Sequence, residues 1–533
     1  MFVNKSSRNN GFTLLELLIV VGVLAIVGTV TVMILNPSEI FKQSRDALRT
    51  TDLKAIDTAI RAYKEYGDIF KTSNIVQADP SNAVIGLVRQ DCVGYSNCFT
   101  SLAAWVTAFG GINFGSCAQG DLVCANKVAV AKIDGMWSTA DTNYVQIAEW
   151  ITGPNNYIKI YTTSEARHNG RWDDTKYRLE TTNQDSLVIN EDFVRVEGLQ
   201  IKDTLTSCTT CDAVSVLSVN NPSDIRISEN IVRGVLSGTS SGWGIIVSDL
   251  EGDATVYIWN NIVYDFINGS NGRGIVNNIS LKVYIYNNTV YNSVYGFYRN
   301  SGTVLAKNNI SYNNTYNYSG IFNASSTNNL SGPSQTDAPG SNPINAATVQ
   351  FVNEAGDDFH LSPSDTAARG AGVNLLNDPN LSFSNDIDGL RRFNIWDIGA
   401  DQLQDIFLSL PDDNRNCTNH SSLPAPPSGW AYRCFASSTF QKVNGIGWIP
   451  VDFGKISGNT LSVLPIDPTN ESENGKYYTF VTDGKKWELT SIFESDKNKG
   501  VDKIGGKDGG QNVNILEIGS NLILTPSVVK SRN

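Results

Sequence analysis

Three places in this 533-residue sequence group side chains able to do chemistry. The first is Gly11 and Phe12 followed by Glu16, an acid inside an otherwise apolar run. If the chain is cut between Gly11 and Phe12, Phe12 gains a cationic amine and Glu16 lies one helical turn away on the same face. In an assembled bundle the amine of one subunit neutralises the glutamate of its neighbour, which offsets the cost of an ionised carboxylate in hydrocarbon. The second place is ARHNGRWDDTKYR (166–178), with Arg167, His168, Arg171, Asp173, Asp174 and Lys176. The third is Asp357, Asp358 and His360 in DDFHLSPSDTAARGAG (357–372).

The second and third groups invite an enzymatic reading. Inverting glycoside hydrolysis needs two carboxylates about 6.5–9.5 Å apart across a groove. Lyase chemistry needs a basic residue beside a carboxylate-bound calcium. Between Val256 and Asn329 the only acid is Asp265, and the basic residues are Arg273, Lys282, Arg299 and Lys307. The NTD, GHG and RxK runs of polygalacturonases are absent, as are the WxDH and RxPxxR runs of pectate lyases. The expectation is a chain that is not an enzyme, with no catalytic residue, metal or cofactor. On this reading 166–178 is a charged turn and His360 belongs to a cap. Trp259, Tyr284, Tyr286 and Tyr298 are the rings available to stack on sugars.

Eight cysteines form an even set: Cys92, Cys98, Cys117, Cys124, Cys208, Cys211, Cys417 and Cys434. Their short separations predict local disulfides and an oxidising compartment. A bridge from Cys417 to Cys434 closes a short loop and contributes about 3 kcal/mol in the chain-entropy view. The balance of 41 basic and 53 acidic residues gives a net charge of −12, which excludes a nucleic-acid binder.

The elements that position these residues begin with the run Phe12–Leu35. As a helix it extends about 36 Å, enough for a hydrocarbon core of about 30 Å. A basic leader with Lys5 and Arg8 predicts a cytoplasmic N-terminus and an exported remainder. A secretory signal peptide would have a shorter apolar stretch with its small-residue cleavage site after it, not before. The ordered residues Gly11, Phe12, Thr13, Leu14, Leu15 and Glu16 resemble the prepilin family, which includes type IV pilins and the pseudopilins of type II secretion. The resemblance implies cleavage after Gly11 by a prepilin peptidase, N-methylation of Phe12 and a filament-assembly role for Glu16. After Pro37, apolar residues at Ile40, Leu48, Ile56, Ala59, Ile60 and Tyr63 predict an amphipathic stalk continuing the same helix, with a kink at Pro37.

The middle of the chain repeats. VRVEGLQI, IRISENIV, VYIWNNIV, VYIYNNTV and VLAKNNIS recur, with the second corner residue at Gly198, Asn230, Asn261, Asn288, Asn309 and Asn329. Alternating short strands at this period predict a right-handed parallel β-helix rather than a sandwich or propeller. Asn or Gly at the corner suits left-handed backbone, and stacked asparagines can form a side-chain ladder. AWVTAFGG, AVAKIDGMW and VQIAEWITG upstream are read as further strands of the first rungs and their cap. Residues 357–372 and 386–402 resemble the closing cassette of extracellular β-helix proteins.

From residue 403 the character changes again. KYYTFV and KWELTSIF, joined by DG and NG turns, predict an antiparallel sheet. The LPxDPxN…YYT…WELT arrangement resembles the C-terminal half of pilins and pseudopilins, which implies a sheet packed on the stalk. In secretion-type major pseudopilins calcium binds near here; Asp467 and Asp483 are the acids in comparable places, and they are read as turn carboxylates.

The expected fold is therefore mixed: a leader at 1–11, a transmembrane and stalk helix at 12–67, a β-helix inserted at 68–402 and a pilin-like α+β head completed by 403–533. Residues 333–402 are expected to run back along the solenoid so that the chain can return to the stalk. The expected function is a minor pilin or pseudopilin displaying a β-helix for adhesion or carbohydrate contact. Its partners would be other pilin subunits, prepilin peptidase, the inner membrane and surface glycans. It would be a single-pass membrane protein first and part of an extracellular filament afterwards. A membrane-anchored polysaccharide lyase or hydrolase, and a structural pseudopilin binding secreted cargo, are the alternatives.

Overall fold

Strand after strand in the middle of the chain places alternate residues inside. In Thr255–Trp259, Val256 and Ile258 are buried while Thr255, Tyr257 and Trp259 are half-buried. The computed structural model describes residues 13–66, 79–217, 222–248, 254–268, 271–279, 282–392, 395–426, 429–456, 461–482, 486–510 and 512–530.

Phe193–Glu197, Gln200–Leu205 and Cys211–Val216 enter three different sheets, and Asp224–Ser228 then returns beside the first of them. Repetition of this step makes three parallel sheets of nine, seven and seven strands: a parallel β-helix with three faces. Identical positions stack from rung to rung. Val194, Ile225, Val256, Val283 and Val304 are in direct register on the first face, and all five are buried in the coil's core. A buried row of this kind leaves every rung dependent on its neighbours for covering its apolar edge.

The corner between the first and second faces explains the NN repeat. Its first residue is left-handed in every copy: Gly198, Glu229, Asn260, Asn287, Asn308 and Asn328 all have positive φ. Its second residue builds the ladder. Asn230 donates to Asn261 at 3.0 Å, Asn261 to Asn288 at 3.0 Å, Asn288 to Asn309 at 3.1 Å and Asn309 to Asn329 at 2.9 Å. Each Oδ1 also accepts a backbone N–H from the preceding rung, such as Asn261 N to Asn288 Oδ1 at 3.0 Å. Gly198 is thus equivalent to Glu229, not to Asn230, which corrects the register expected at the first copy. Left-handed backbone and the ladder belong to neighbouring residues.

AWVTAFGG is not a strand. Leu102, Trp105, Val106 and Phe109 are spaced for a helix, and Ser101 caps Leu102–Gly110 by accepting from the Ala104 N–H. This helix closes one end of the coil, with Trp105 stacked on Phe109 and Trp150.

The segment after Gly332 does turn back. Asn328 donates to the carbonyl of Ala371, Asn308 to that of Val373, Asn287 to those of Asp397 and Gly399, and Asn260 to that of Asn385. The left-handed corner residues therefore hold the return segment. Arg392, fully buried, donates to the carbonyls of Gly399 and Ala400 at 2.8 Å each. Leu361, Ile387 and Ile398 cover the outer side of the second face, while Leu375, Leu381 and Trp396 cover part of the first.

At the other extreme, helix α1 (Leu14–Leu35) ends at Asn36, which is left-handed, and helix α2 (Pro37–Tyr66) begins afresh at Pro37. The expected single kinked helix is thus two helices. Among the described residues no helix is long and apolar enough to cross a membrane; the described side chains of α1 stop at Val30. Leu53, Ile56, Ala59 and Ile60 of α2 pack against Phe407, Trp448, Tyr478 and Leu489 of the C-terminal region. Ile40 and Leu48, expected in the same stripe, are about half exposed; Asp46 and Arg49 are buried instead.

The C-terminal sheet has five strands, ordered Trp430–Phe435, Gln404–Pro411, Thr479–Thr482, Trp487–Ile492 and Ile515–Gly519. The first pair is parallel and the others antiparallel, so the sheet is mixed, not purely antiparallel as its hairpin turns suggest. Trp430–Phe435 reaches its place through a long connection tied by Cys417–Cys434, and no tight hairpin dictates its direction.

Candidate functional site

At the N-terminus, Thr13 caps α1 reciprocally with Glu16. The Glu16 N–H donates to Thr13 Oγ1 at 3.3 Å, and Glu16 Oε2 accepts from the Thr13 N–H at 2.9 Å. This capping box fixes Glu16 in the first turn of an exposed apolar helix. Gly11 and Phe12 lie outside the described residues.

The two polar groups that the sequence separates by nearly two hundred residues meet at the β-helix corner. Gly170 is seated against His360 and Asp388 so closely that a Cβ there would lie 2.3 Å from His360 Nε2. Arg171 lies 3.8 Å from Asp358. His360 Nδ1 is 2.5 Å from Asp358 Oδ1, and its Nε2 is 2.9 Å from Asp388 Oδ2. Burial opposes the charge on His360, but these two carboxylates outweigh it and push its pKa up to about 12. It is an imidazolium with both N–H groups donated.

His168 is the opposite case. It is buried, accepts from the Gly170 N–H at Nδ1 and donates from Nε2 to the Glu229 carbonyl at 2.9 Å. Burial first, then the Arg167 charge, lowers its pKa to about 3, so it is neutral. Beside it the buried Glu229 carboxylate accepts from Arg167 and Asn385. Burial raises Glu229 to about 7 although Arg167 works the other way.

Asp401 completes the group: its Oδ2 accepts from the Leu361 N–H at 2.7 Å. His360, Asp388 and Asp401 offer ligand atoms within 4.8 Å of one another, the cluster among the described residues with metal-like spacing. A cation there would have to displace the proton that His360 Nε2 shares with Asp388. The arrangement fastens the return segment to the coil across one corner, with its protons held in place. Asp173 caps the local turn by accepting from Thr175, Asp174 accepts from Trp172, and Lys176 donates to the Glu165 carbonyl.

Glu229, Asp386, Asp388, Asp401 and Arg392 were not singled out in the sequence. Glu229 had a signal: it replaces the first Asn of the corner pair, a position otherwise filled by Asn or Gly. The rings expected to meet sugars are mostly covered. Tyr286 is buried beneath Leu375 and Trp396, Trp259 packs against Phe383, and Tyr284 stacks on Tyr257 at 5.2 Å.

All eight cysteines pair locally, as Cys92–Cys98, Cys117–Cys124, Cys208–Cys211 and Cys417–Cys434. Asp467 is a partner of Arg49 and of Thr469, with both carboxylate oxygens occupied; Asp483 lies outside the described residues.

The family profile described as the prokaryotic N-terminal methylation motif matches residues 6–32. The chain carries a prepilin-type methylation signal. No curated protein matches it. Among solved structures it is similar to the pectin methylesterase of Aspergillus niger in a penultimately deglycosylated form. The identity is 10%, the match covers 51% of this chain and 86% of that one, and the TM-score is 0.23. The deglycosylated form of the same enzyme matches at 10% identity over 51% and 87%, with a TM-score of 0.24. These neighbours are enzymes, and this corrects the expectation of a chain that is not an enzyme, which is withdrawn. At such scores the likeness assigns no activity or substrate in its place.

Proposed function

We propose that the chain is a minor pilin or pseudopilin whose β-helix is displayed on a filament for adhesion through glycan contact. The observation that carries this reading is the methylation signal at 6–32, leading into α1 and then into α2, a helix packed on the C-terminal sheet. Prepilin peptidase cuts after Gly11, Phe12 is N-methylated, and the segment Phe12–Leu35 rests in the inner membrane until assembly. Glu16 then receives the neighbouring subunit's Phe12 amine. The bulk of the β-helix favours a sparse subunit over the main building block.

Filaments isolated from the native cell test this directly. Mass spectrometry of their N-terminal peptide should find N-methylated Phe12. Glu16→Val should abolish incorporation while leaving membrane insertion intact. Unprocessed Met1 in the filament fraction, or normal incorporation of Glu16→Val, would overturn the assignment.

A further inference from the structure

The return segment covers the second face of the coil and part of the first; on the third face, among the described residues, a column of side chains stays partly exposed. Strand register aligns Trp243, Arg273, Tyr295 and Tyr316 one above the other on four successive rungs. Adjacent rungs are about 4.8 Å apart, close to the advance of one ring along an extended polysaccharide. Tyr295 and Tyr316 stack at 4.9 Å and 17°, and Tyr316 is 51% exposed. Arg273 lies among three rings, with its guanidinium carbon 3.8 Å from the centroid of Tyr298, 4.8 Å from Trp243 and 5.5 Å from Tyr295.

Arg273 forms no ion pair among the described residues. The acid whose field reaches it, Asp212, is one rung beyond Trp243, and its oxygens accept from the Trp243 N–H and Ser215. Arg273 Nε is itself buried with no acceptor. A guanidinium fixed by rings and lacking a carboxylate is a preorganised receptor for one, because its planar fork matches a carboxylate bidentately. Aromatic faces on either side supply the apolar surface that the C–H side of a sugar ring prefers.

We propose that this column binds a carboxylated polysaccharide, with Arg273 pairing a uronate carboxylate and Tyr316 stacking on an adjacent ring. The proposal rests on the reading of the β-helix as a glycan-contacting display, and it names the face and the chemical class.

The test uses the full-length chain in detergent on immobilised polygalacturonate, the same polymer fully methyl-esterified, and dextran sulfate. Wild type should bind polygalacturonate at least about tenfold tighter than the ester. Arg273→Gln should erase that preference, and Tyr316→Ala, at an exposed ring, should weaken both polymers by a similar factor. Arg273→Lys should keep part of the preference, since the charge stays and the fork is lost. The proposal is overturned if wild type binds none of the three, if dextran sulfate binds tighter than polygalacturonate, or if Arg273→Gln retains the preference. Filament incorporation of Arg273→Gln is scored separately. Normal incorporation with unchanged glycan binding overturns this site and leaves the filament assignment standing, whereas failed incorporation of wild type strikes the assignment itself.

Discussion

Arg49 on the stalk helix grips Asp467, 418 positions later, donating Nε to one carboxylate oxygen at 2.7 Å and Nη2 to the other at 2.9 Å. Both side chains are fully buried, and Asp46 and Glu494 complete the charge balance around the guanidinium. Removing one member of such a group strands the others in a low dielectric. Arg49→Met is expected to cost about 3–5 kcal/mol of stability, measured by denaturant unfolding, with Asp467→Asn close behind. A loss below about 1 kcal/mol would mean the pairs behave as surface contacts.

The same group sets an acid limit. Burial alone would raise Glu494, yet Arg45 and Arg49 hold it down at about 2, below its ordinary 4.5, and Asp467 is lowered as well. A depressed carboxylate contributes stability that is complete above its unfolded value and lost as pH falls through its folded one. Docking of α2 on the sheet should therefore weaken progressively between about pH 4.5 and about pH 2. Melting temperatures across that window check it, and Glu494→Gln should flatten the slope.

The histidines at the corner should titrate in opposite senses. His360, raised to about 12, should remain protonated through pH 9, and its contribution is complete below about 6.5, declines steadily as pH rises above that and is gone once pH passes the folded value. His168, lowered to about 3, should remain neutral at pH 5, and its burial weighs against the fold as pH drops below 6.5 toward 3. Nitrogen NMR of chain labelled at histidine separates them, since the sequence holds three in all. A midpoint near 6.5 for either would show that the corner is open to water.

Asn288 occupies the middle of the ladder, donating to Asn309 and accepting from Asn261 and its backbone N–H. Asn288→Ala leaves the buried Asn261 N–H without its acceptor, at about 1–3 kcal/mol, while the Asn261 carboxamide keeps the carbonyls of Ile227 and Trp259. Thermal unfolding should report a loss of at least that size. A change within about 0.5 kcal/mol, typical of surface sites, would assign the ladder's strength to its backbone bonds alone.

Cys417 and Cys434, 17 apart, tie the connection that sets the parallel edge strand. Replacing both with serine should cost about 3 kcal/mol through the freed loop, read as a lowered denaturant midpoint for the C-terminal sheet.

Much of the coil was legible because its signal is periodic: one buried row and one corner pair recur in each copy. The ladder could be anticipated from Asn230 to Asn329 for that reason. The displaced register at Gly198 was not, since glycine satisfies the left-handed position without marking which of the two corner residues it is. Leu102–Gly110 was misread because an apolar run this short carries helical and strand patterns at once until Ser101 is recognised as its cap. The clamp was hidden by a sound generalisation: Asp46 and Arg49 look like the solvent face of an amphipathic helix, and their partners lie over four hundred residues away. His168 and His360 were each visible alone, but only the path of the return segment brings them to one corner.

The direct packing of α2 on the C-terminal sheet decides how force travels. Tension on the N-terminal helix passes through Arg49 and Asp467 into the sheet without crossing a single rung. The β-helix lies off that line, and its returning segment is fastened to the sheet where Arg433 pairs with Asp397 and Arg369 donates to the Tyr432 carbonyl. Pulling on the stalk thus leaves the rungs slack, and a surface carried on them would keep its shape under strain.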